Sequence, residues 1–312
     1  MPSIEIQGGE VVYDIVGAAD GQPIVVSTGG RFDMDVPGLR PLAERLAQDG
    51  MRVLLWDRPN CGASDVQFWG ASESHMRAAV LAELLARLGM APAVIAGGSS
   101  GARDSIITAM DHPEVASRLI VWSTSGGIYA LMRLANVYVV PTLEALNMGG
   151  IDAALELAHW SDRIKANPRN HDRMLELGTD GLRDVMHRWL GAYVPKPGQL
   201  IPGVLDEDLG RIAAPTMIIR GGELDLDHPK RTSLELQCLI GGSVLVDPPW
   251  PEDGWERSLE AAYRGEGHPF DSWPLVAEPI LRFSQQSSQK TSAINFVDGV
   301  AVPTPRTTGD MT

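Results

Sequence analysis

An apolar run, Ala93-Val94-Ile95-Ala96, leads into Gly97-Gly98-Ser99-Ser100-Gly101 and then, without a break, into a helix-favouring stretch over 102–110. A short apolar run bounded by turn residues fits a strand with both faces covered. A chain that leaves such a strand and enters a helix within five residues must turn sharply. A G-x-S-x-G sequence at that turn strains the serine backbone and lifts its hydroxyl above the sheet edge. Gly97 and Gly101 suit the turn because side chains two residues either side of the apex would collide there.

The segments around this turn repeat the same grammar. Alternating residues over 4–7 and 11–16 flank Gly8-Gly9 and predict an opening hairpin. Short apolar strands are expected over 24–26, 52–56 and 118–122, with amphipathic helices over 39–49 and 74–88 closed by Gly50 and Gly89. Repeated β-α-β units build a mainly parallel sheet with helices on both faces, an α/β fold. Between 126 and 210 the strand signal fades, and helices are expected over 128–140, 151–164 and 171–190 as an insertion. Strands return over 216–219 and 243–246, with helices over 229–240 and 274–283. The expected organisation is a core of 1–125 and 211–285, a helical lid of 126–210 and a loose polar tail of 286–312.

Composition removes several functions. The 312 residues carry a formal charge of -14 with no Lys or Arg cluster, which argues against nucleic acid as a partner. Cys61 and Cys238 have no metal-type spacing, so neither a disulfide framework nor a metal is expected, and both read as packing residues. No apolar run reaches membrane-spanning length. The N-terminus alternates like a strand and lacks the basic-then-apolar order of a signal peptide, so a soluble, cytoplasmic protein with no membrane partner is expected.

Taken in order along 4–283, these landmarks resemble the α/β-hydrolase superfamily. Ile24-Val25-Val26-Ser27-Thr28-Gly29-Gly30 is similar to the strand and loop that supply one oxyanion donor. Asp57-Arg58-Pro59-Asn60-Cys61-Gly62-Ala63-Ser64 resembles the D-x-R-G-x-G-x-S stretch, and Gly97 to Gly101 the nucleophile elbow. Ile218-Ile219-Arg220-Gly221-Gly222-Glu223-Leu224-Asp225 resembles the strand that ends in the acid, and Gly267-His268 the loop of the catalytic histidine. Thr28, Asn60 and Cys61 depart from the usual residues. The resemblance implies the α/β-hydrolase fold with an inserted lid and a triad of Ser99, Asp225 and His268. It implies backbone oxyanion donors at Gly30 and Ser100 and no cofactor.

Each role has a rival. A serine hydroxyl needs an imidazole to take its proton and a carboxylate to orient that imidazole. Asp227 competes with Asp225 for the acid but lies where it could cap the next helix, and Asp247 is a third candidate. His75 opens a helix, His228 lies just beyond the candidate acid, and His112, His159, His171 and His187 read as surface or lid residues. Arg103 and Asp104 read as a structural ion pair, with each other or with nearby loops. Arg31 reads alike, although its place beside Gly30 would let it meet an acidic substrate. Trp160, Trp189, Met132, Met148, Met174 and Met186 are lid residues suited to an apolar pocket or to helix packing. The long stretch 247–267 before His268 is expected near the pocket mouth, as a second lid or a subunit contact.

The expected partner is a small-molecule substrate, and the expected reaction hydrolysis of a carboxylic ester or lactone through an acyl-enzyme. Carbon-carbon bond hydrolysis of an aromatic ring-cleavage product is the alternative within the fold, with oxygenation or perhydrolysis on the same triad ranked below it. A non-catalytic small-molecule-binding protein is the alternative outside enzymology. An aspartate-nucleophile reaction is disfavoured by the serine at the apex. Oligomeric state is not legible.

Overall fold

Period-two burial along successive strands determines how the chain layers. In the computed structural model, β1 (Ser3–Ile6), β2 (Gly9–Val16), β3 (Gln22–Ser27), β4 (Met51–Trp56), β5 (Ala93–Gly98), β6 (Ala116–Trp122), β7 (Thr216–Ile219) and β8 (Val244–Val246) form one sheet. Their spatial order is β1-β2-β4-β3-β5-β6-β7-β8, with β1/β2 and β2/β4 antiparallel and every later pair parallel. The structure describes residues 1–286 and the short strands β9 (Asn295–Val297) and β10 (Val300–Val302), which pair antiparallel. The rest of the tail expected over 286–312 lies outside the described residues.

Alternate residues of the central strands enter two separate cores. Val25, Leu54, Ile95, Leu119 and Ile218 pack under α2 (Glu73–Arg87) and α3 (Ser100–Asp111). Ile24, Val53, Val94, Ile120 and Met217 pack on the other face, under α1 (Leu39–Gln48) and α10 (Ala277–Gln285). Full burial of each such side chain contributes roughly 1.5–3 kcal/mol, so both faces must be covered for the sheet to persist. Gly101 sets how closely α3 approaches β3: a Cβ there would lie 2.3 Å from the Ser27 carbonyl oxygen.

The segment after β6 forms four helices, α4 (Gly127–Tyr138), α5 (Val140–Leu155), α6 (Ala158–Ala166) and α7 (Arg169–Leu190). The helix expected over 151–164 is two helices, because the chain turns at Leu157, and α7 is kinked where Gly178 takes a positive φ. These helices bury their own core of Trp160, Met174, Leu182, Met186 and Trp189, closed by Val66 and Met76 from the sheet domain. Met132 and Met148, grouped with them in the sequence, are exposed. Hydrogen bonds from Arg163 to the Asn60 carbonyl, from the Val66 amide to Asn170 and from Asn167 to Asp65 fasten the cap to the loop after β4.

After β7 come α8 (Lys230–Leu239), β8, and then α9 (Gly254–Tyr263). The stretch 247–267 thus contains a helix that sequence patterning missed. Cys61 is buried against Arg77, whereas Cys238 is exposed and not a packing residue. Among the described residues no helix is long and apolar enough to cross a membrane.

Candidate active site

Ser99 follows β5 in the middle of the sheet, at the end from which the parallel strands' loops emerge. Its backbone has φ 56 and ψ -121, a conformation rare for a residue with a Cβ, held by an amide hydrogen bond to the Trp122 carbonyl at 3.1 Å. Gly97 and Gly98 permit this, since a Cβ on Gly97 would lie 2.5 Å from the Gly101 oxygen and one on Gly98 2.2 Å from Trp122 Nε1. The strained serine turn expected from the sequence is present.

Ser99 Oγ lies 3.0 Å from His228 Nε2, and His228 Nδ1 lies 2.9 Å from Asp225 Oδ2. With the imidazole proton on Nδ1, the serine hydroxyl donates to Nε2 and Nδ1–H donates to the carboxylate. Acid and imidazole both belong to the loop after β7, three residues apart. Asp225 Oδ1 accepts the amides of Asp227 and His228, each at 2.9 Å, which folds Asp225-Leu226-Asp227-His228 into a tight turn. Gly221 makes room for it, because a Cβ there would strike the His228 carbonyl. Asp225 and His228 are almost wholly buried.

The imidazole beside Ser99 is therefore not the expected one. His268 makes no hydrogen bond to Ser99 or Asp225 among the described residues. Its Nδ1 accepts the Phe270 amide, and its ring packs edge-on against Phe32 and Phe270. Burial lowers its pKa, partly offset by Asp271 and Asp33. The physical reason for the difference lies in the elements between β8 and His268. The inserted α9 brings Trp255 edge-on to His228, 4.6 Å between ring centroids, so this stretch covers the site instead of leading a histidine into it. Glu256, next to Trp255, is raised in pKa by burial and by Asp225 and Asp253.

The rival acids have other partners. Asp227 pairs with Arg133 of α4, and exposed Asp247 pairs with Arg220 at 2.7 Å. Sequence reasoning placed His228 beside the acid but gave it no role. The D-x-x-H spacing, with an Asp able to accept two following amides, was the available signal.

Gly30 and Ser100 meet beside Ser99. Ser100 is the first residue of α3, so its amide has no carbonyl partner within the helix and stands at the positive end of the helix dipole. Ser100 Oγ donates to the Gly30 carbonyl at 2.8 Å. Arg58 is wholly buried and fastens the same loop: Nη2 donates to Thr28 Oγ1, the Gly29 carbonyl and the Gly30 carbonyl, and Nη1 to Ser100 Oγ and Asp104. In a trans peptide the N–H points opposite to its C=O, so carbonyls drawn toward Arg58 turn the amides of Gly30 and Arg31 the other way. Gly29 lies against Ser99, a Cβ there falling 3.1 Å from Ser99 Cβ.

Around this site is a buried charge cluster. Burial alone would raise the Glu73 carboxyl, but Arg31, Arg77, a hydrogen bond from Asn60 and Arg103 together hold it at about 2. His159 in the cap is pushed down to about 3 by burial and then by Arg31. Asp57 is raised to about 6 by burial, although it accepts the Met34 and Ala63 amides. Arg103 and Asp104 do not pair with each other: Asp104 pairs with Arg58 of the loop after β4 at 3.0 Å, the loop pairing expected as the other arrangement, whereas Arg103 forms no ion pair among the described residues.

No family model matches the chain. It is 29% identical over 209 residues to a 2-hydroxy-6-oxononadienedioate/2-hydroxy-6-oxononatrienedioate hydrolase of Escherichia coli O139:H28, covering 64% of this chain and 69% of that one. A protein of the same name from Burkholderia vietnamiensis is 31% identical over 112 residues, and that match spans 33% of this chain and only 39% of the relative. Among solved structures, the enol-lactonase of Burkholderia xenovorans LB400 superposes with a TM-score of 0.58 at 20% identity, over 91% of this chain and all of that one. A meta-cleavage product hydrolase from Pseudomonas fluorescens IP01 gives 0.56 at 19% identity, over 91% and 97%.

Proposed function

We propose, for a chain that belongs to the α/β-hydrolase superfamily, that Ser99 is the nucleophile of a hydrolase acting on a carboxylic ester or lactone, with His228 as its base and Asp225 as the orienting acid. The observation that carries this reading is the continuous chain from Ser99 Oγ to His228 to Asp225, at 3.0 and 2.9 Å.

The steps follow from the geometry. His228 Nε2 takes the serine proton as Oγ attacks the carbonyl carbon, and Asp225 stabilises the resulting imidazolium. The amides of Ser100 and Gly30 receive the oxyanion. Collapse expels the alkoxide, which takes its proton from His228. Water, deprotonated by the same imidazole, then attacks the acyl-enzyme and releases the acid and free Ser99. No metal or organic cofactor enters these steps.

A second reading is supported by the name shared by the Escherichia and Burkholderia relatives. In it the same residues cleave a carbon-carbon bond of a ring-cleavage dienone, and the leaving group departs as a carbanion equivalent. Parallel assays on p-nitrophenyl and lactone esters and on a ring-cleavage dienone separate the two. Turnover of esters with little on the dienone is expected, and the reverse ratio assigns carbon-carbon cleavage. Turnover that survives Ser99→Ala on every substrate would remove Ser99 from both mechanisms, whereas no turnover of any of them by the wild-type protein would favour a binding protein.

A further inference from the structure

Among the described residues, the guanidinium groups of Arg58, Arg77 and Arg103 are buried near Ser99, and that of Arg31 is largely so, around two carboxylates, Glu73 and Asp104. Arg58 and Arg77 take the close ion pairs, at 3.0 Å to Asp104 and 3.0 Å to Glu73. Arg103 has no carboxylate within 4.0 Å among the described residues. Its Nε donates to Ser74 Oγ at 2.8 Å, and its Nη1 is buried without a partner. Arg31 meets Glu73 at a longer 3.5 Å and gives Nη2 to the Tyr138 carbonyl, while its Nε and Nη1 are likewise buried without partners. An unpaired buried guanidinium costs several kcal/mol, which an anion held in fork geometry offsets.

The two groups share one neighbourhood. Arg103 lies one helical turn beyond Ser99, its amide 3.4 Å from the Ser99 carbonyl, and Arg31 directly follows Gly30. Both guanidinium carbons lie near the Tyr138 ring of the cap, at 5.1 Å for Arg31 and 5.6 Å for Arg103, and Tyr193 lies 5.6 Å from Arg103.

We infer that Arg103 and Arg31 form an anion subsite between core and cap that binds a carboxylate of the substrate. The subsite rests on the reading of Ser99 as nucleophile only in calling the bound anion a substrate. It narrows the substrate class to esters, lactones or dienones that carry a free carboxylate, held by its charge while the scissile carbonyl faces Ser99.

Titration calorimetry with hexanoate and its neutral isostere hexanamide tests this on the Ser99→Ala protein, where turnover plays no part. Hexanoate should bind at least about tenfold more tightly than hexanamide, and Arg103→Met or Arg31→Met should erase that preference while leaving hexanamide unchanged. Arg103→Lys, which keeps the charge and loses the fork, should retain part of it and serves where the Met variant does not fold. Equal affinity for the two probes, binding of neither, or a preference undiminished in both Met variants overturns the subsite. Reaction of wild-type Ser99 with a fluorophosphonate is read separately, so the hydrolase reading and the subsite can fail independently.

Discussion

At Ser99 the backbone is strained, and the surrounding glycines make that strain tolerable. At Gly101 the obstruction is backbone, since its would-be Cβ meets the consecutive Ser27 and Thr28 carbonyl oxygens at 2.3 and 2.4 Å, and neither can yield as a side chain would. Gly101→Ala is expected to lower unfolding free energy by about 1–3 kcal/mol, read from the urea midpoint at constant slope. An unchanged midpoint would mean that α3 shifts freely off β3. Ser99 was legible in the sequence because turn chemistry is local: glycine spacing, a strand before and a helix after. Asp225 was legible for the same reason, as a carboxylate at a strand end. The histidine was not read, although the D-x-x-H turn that folds His228 onto Asp225 is itself local; what no local pattern states is that α9 lies over the loop after β7 while His268 packs against Phe32 and Phe270.

Arg58 joins three elements, the loop after β3, the loop after β4 that carries it, and the start of α3. Replacement by methionine leaves Asp104 with Arg77 at 3.9 Å as its remaining cation. Such a variant should lose about 3–5 kcal/mol of stability, measured by urea unfolding. Arg58→Lys should fold yet make fewer of the bonds to the Gly29 and Gly30 carbonyls. Its kcat is then expected to fall by about 10²-fold with a smaller change in KM, as for a misplaced oxyanion donor. An unchanged kcat in a folded but less stable Arg58→Lys protein would assign Arg58 a purely structural role. The strands and helices of the sheet were readable from period and caps, whereas α9 was hidden among prolines and tryptophans. In the cap, the break at Leu157 was missed because apolar residues continue across it.

Across the whole molecule, buried titratable groups couple stability to pH. His159 sits at about 3 against an ordinary 6.5, so the unfolded chain binds more protons between these values. Its contribution is complete above pH 6.5 and is lost as pH falls toward 3; His75 and His268, also lowered by burial, act in the same direction. Glu73, at about 2 against 4.5, adds a further loss below pH 4.5. Asp57, raised to about 6 from 3.8, opposes them, since its contribution declines as pH rises through that window. The urea midpoint should therefore drop from pH 6.5 to 4, and His159→Gln should reduce that slope. An identical slope in the variant would exclude His159 as a source.

The central claim is that Ser99 is activated by His228. Intact-mass spectrometry after fluorophosphonate treatment of wild type, Ser99→Ala, His228→Ala and His268→Ala tests it directly. One stoichiometric adduct is expected on wild type and on His268→Ala, and none on Ser99→Ala or, at matched exposure, on His228→Ala. Labelling that survives in His228→Ala and vanishes in His268→Ala would contradict the account and return the base to the loop after β8.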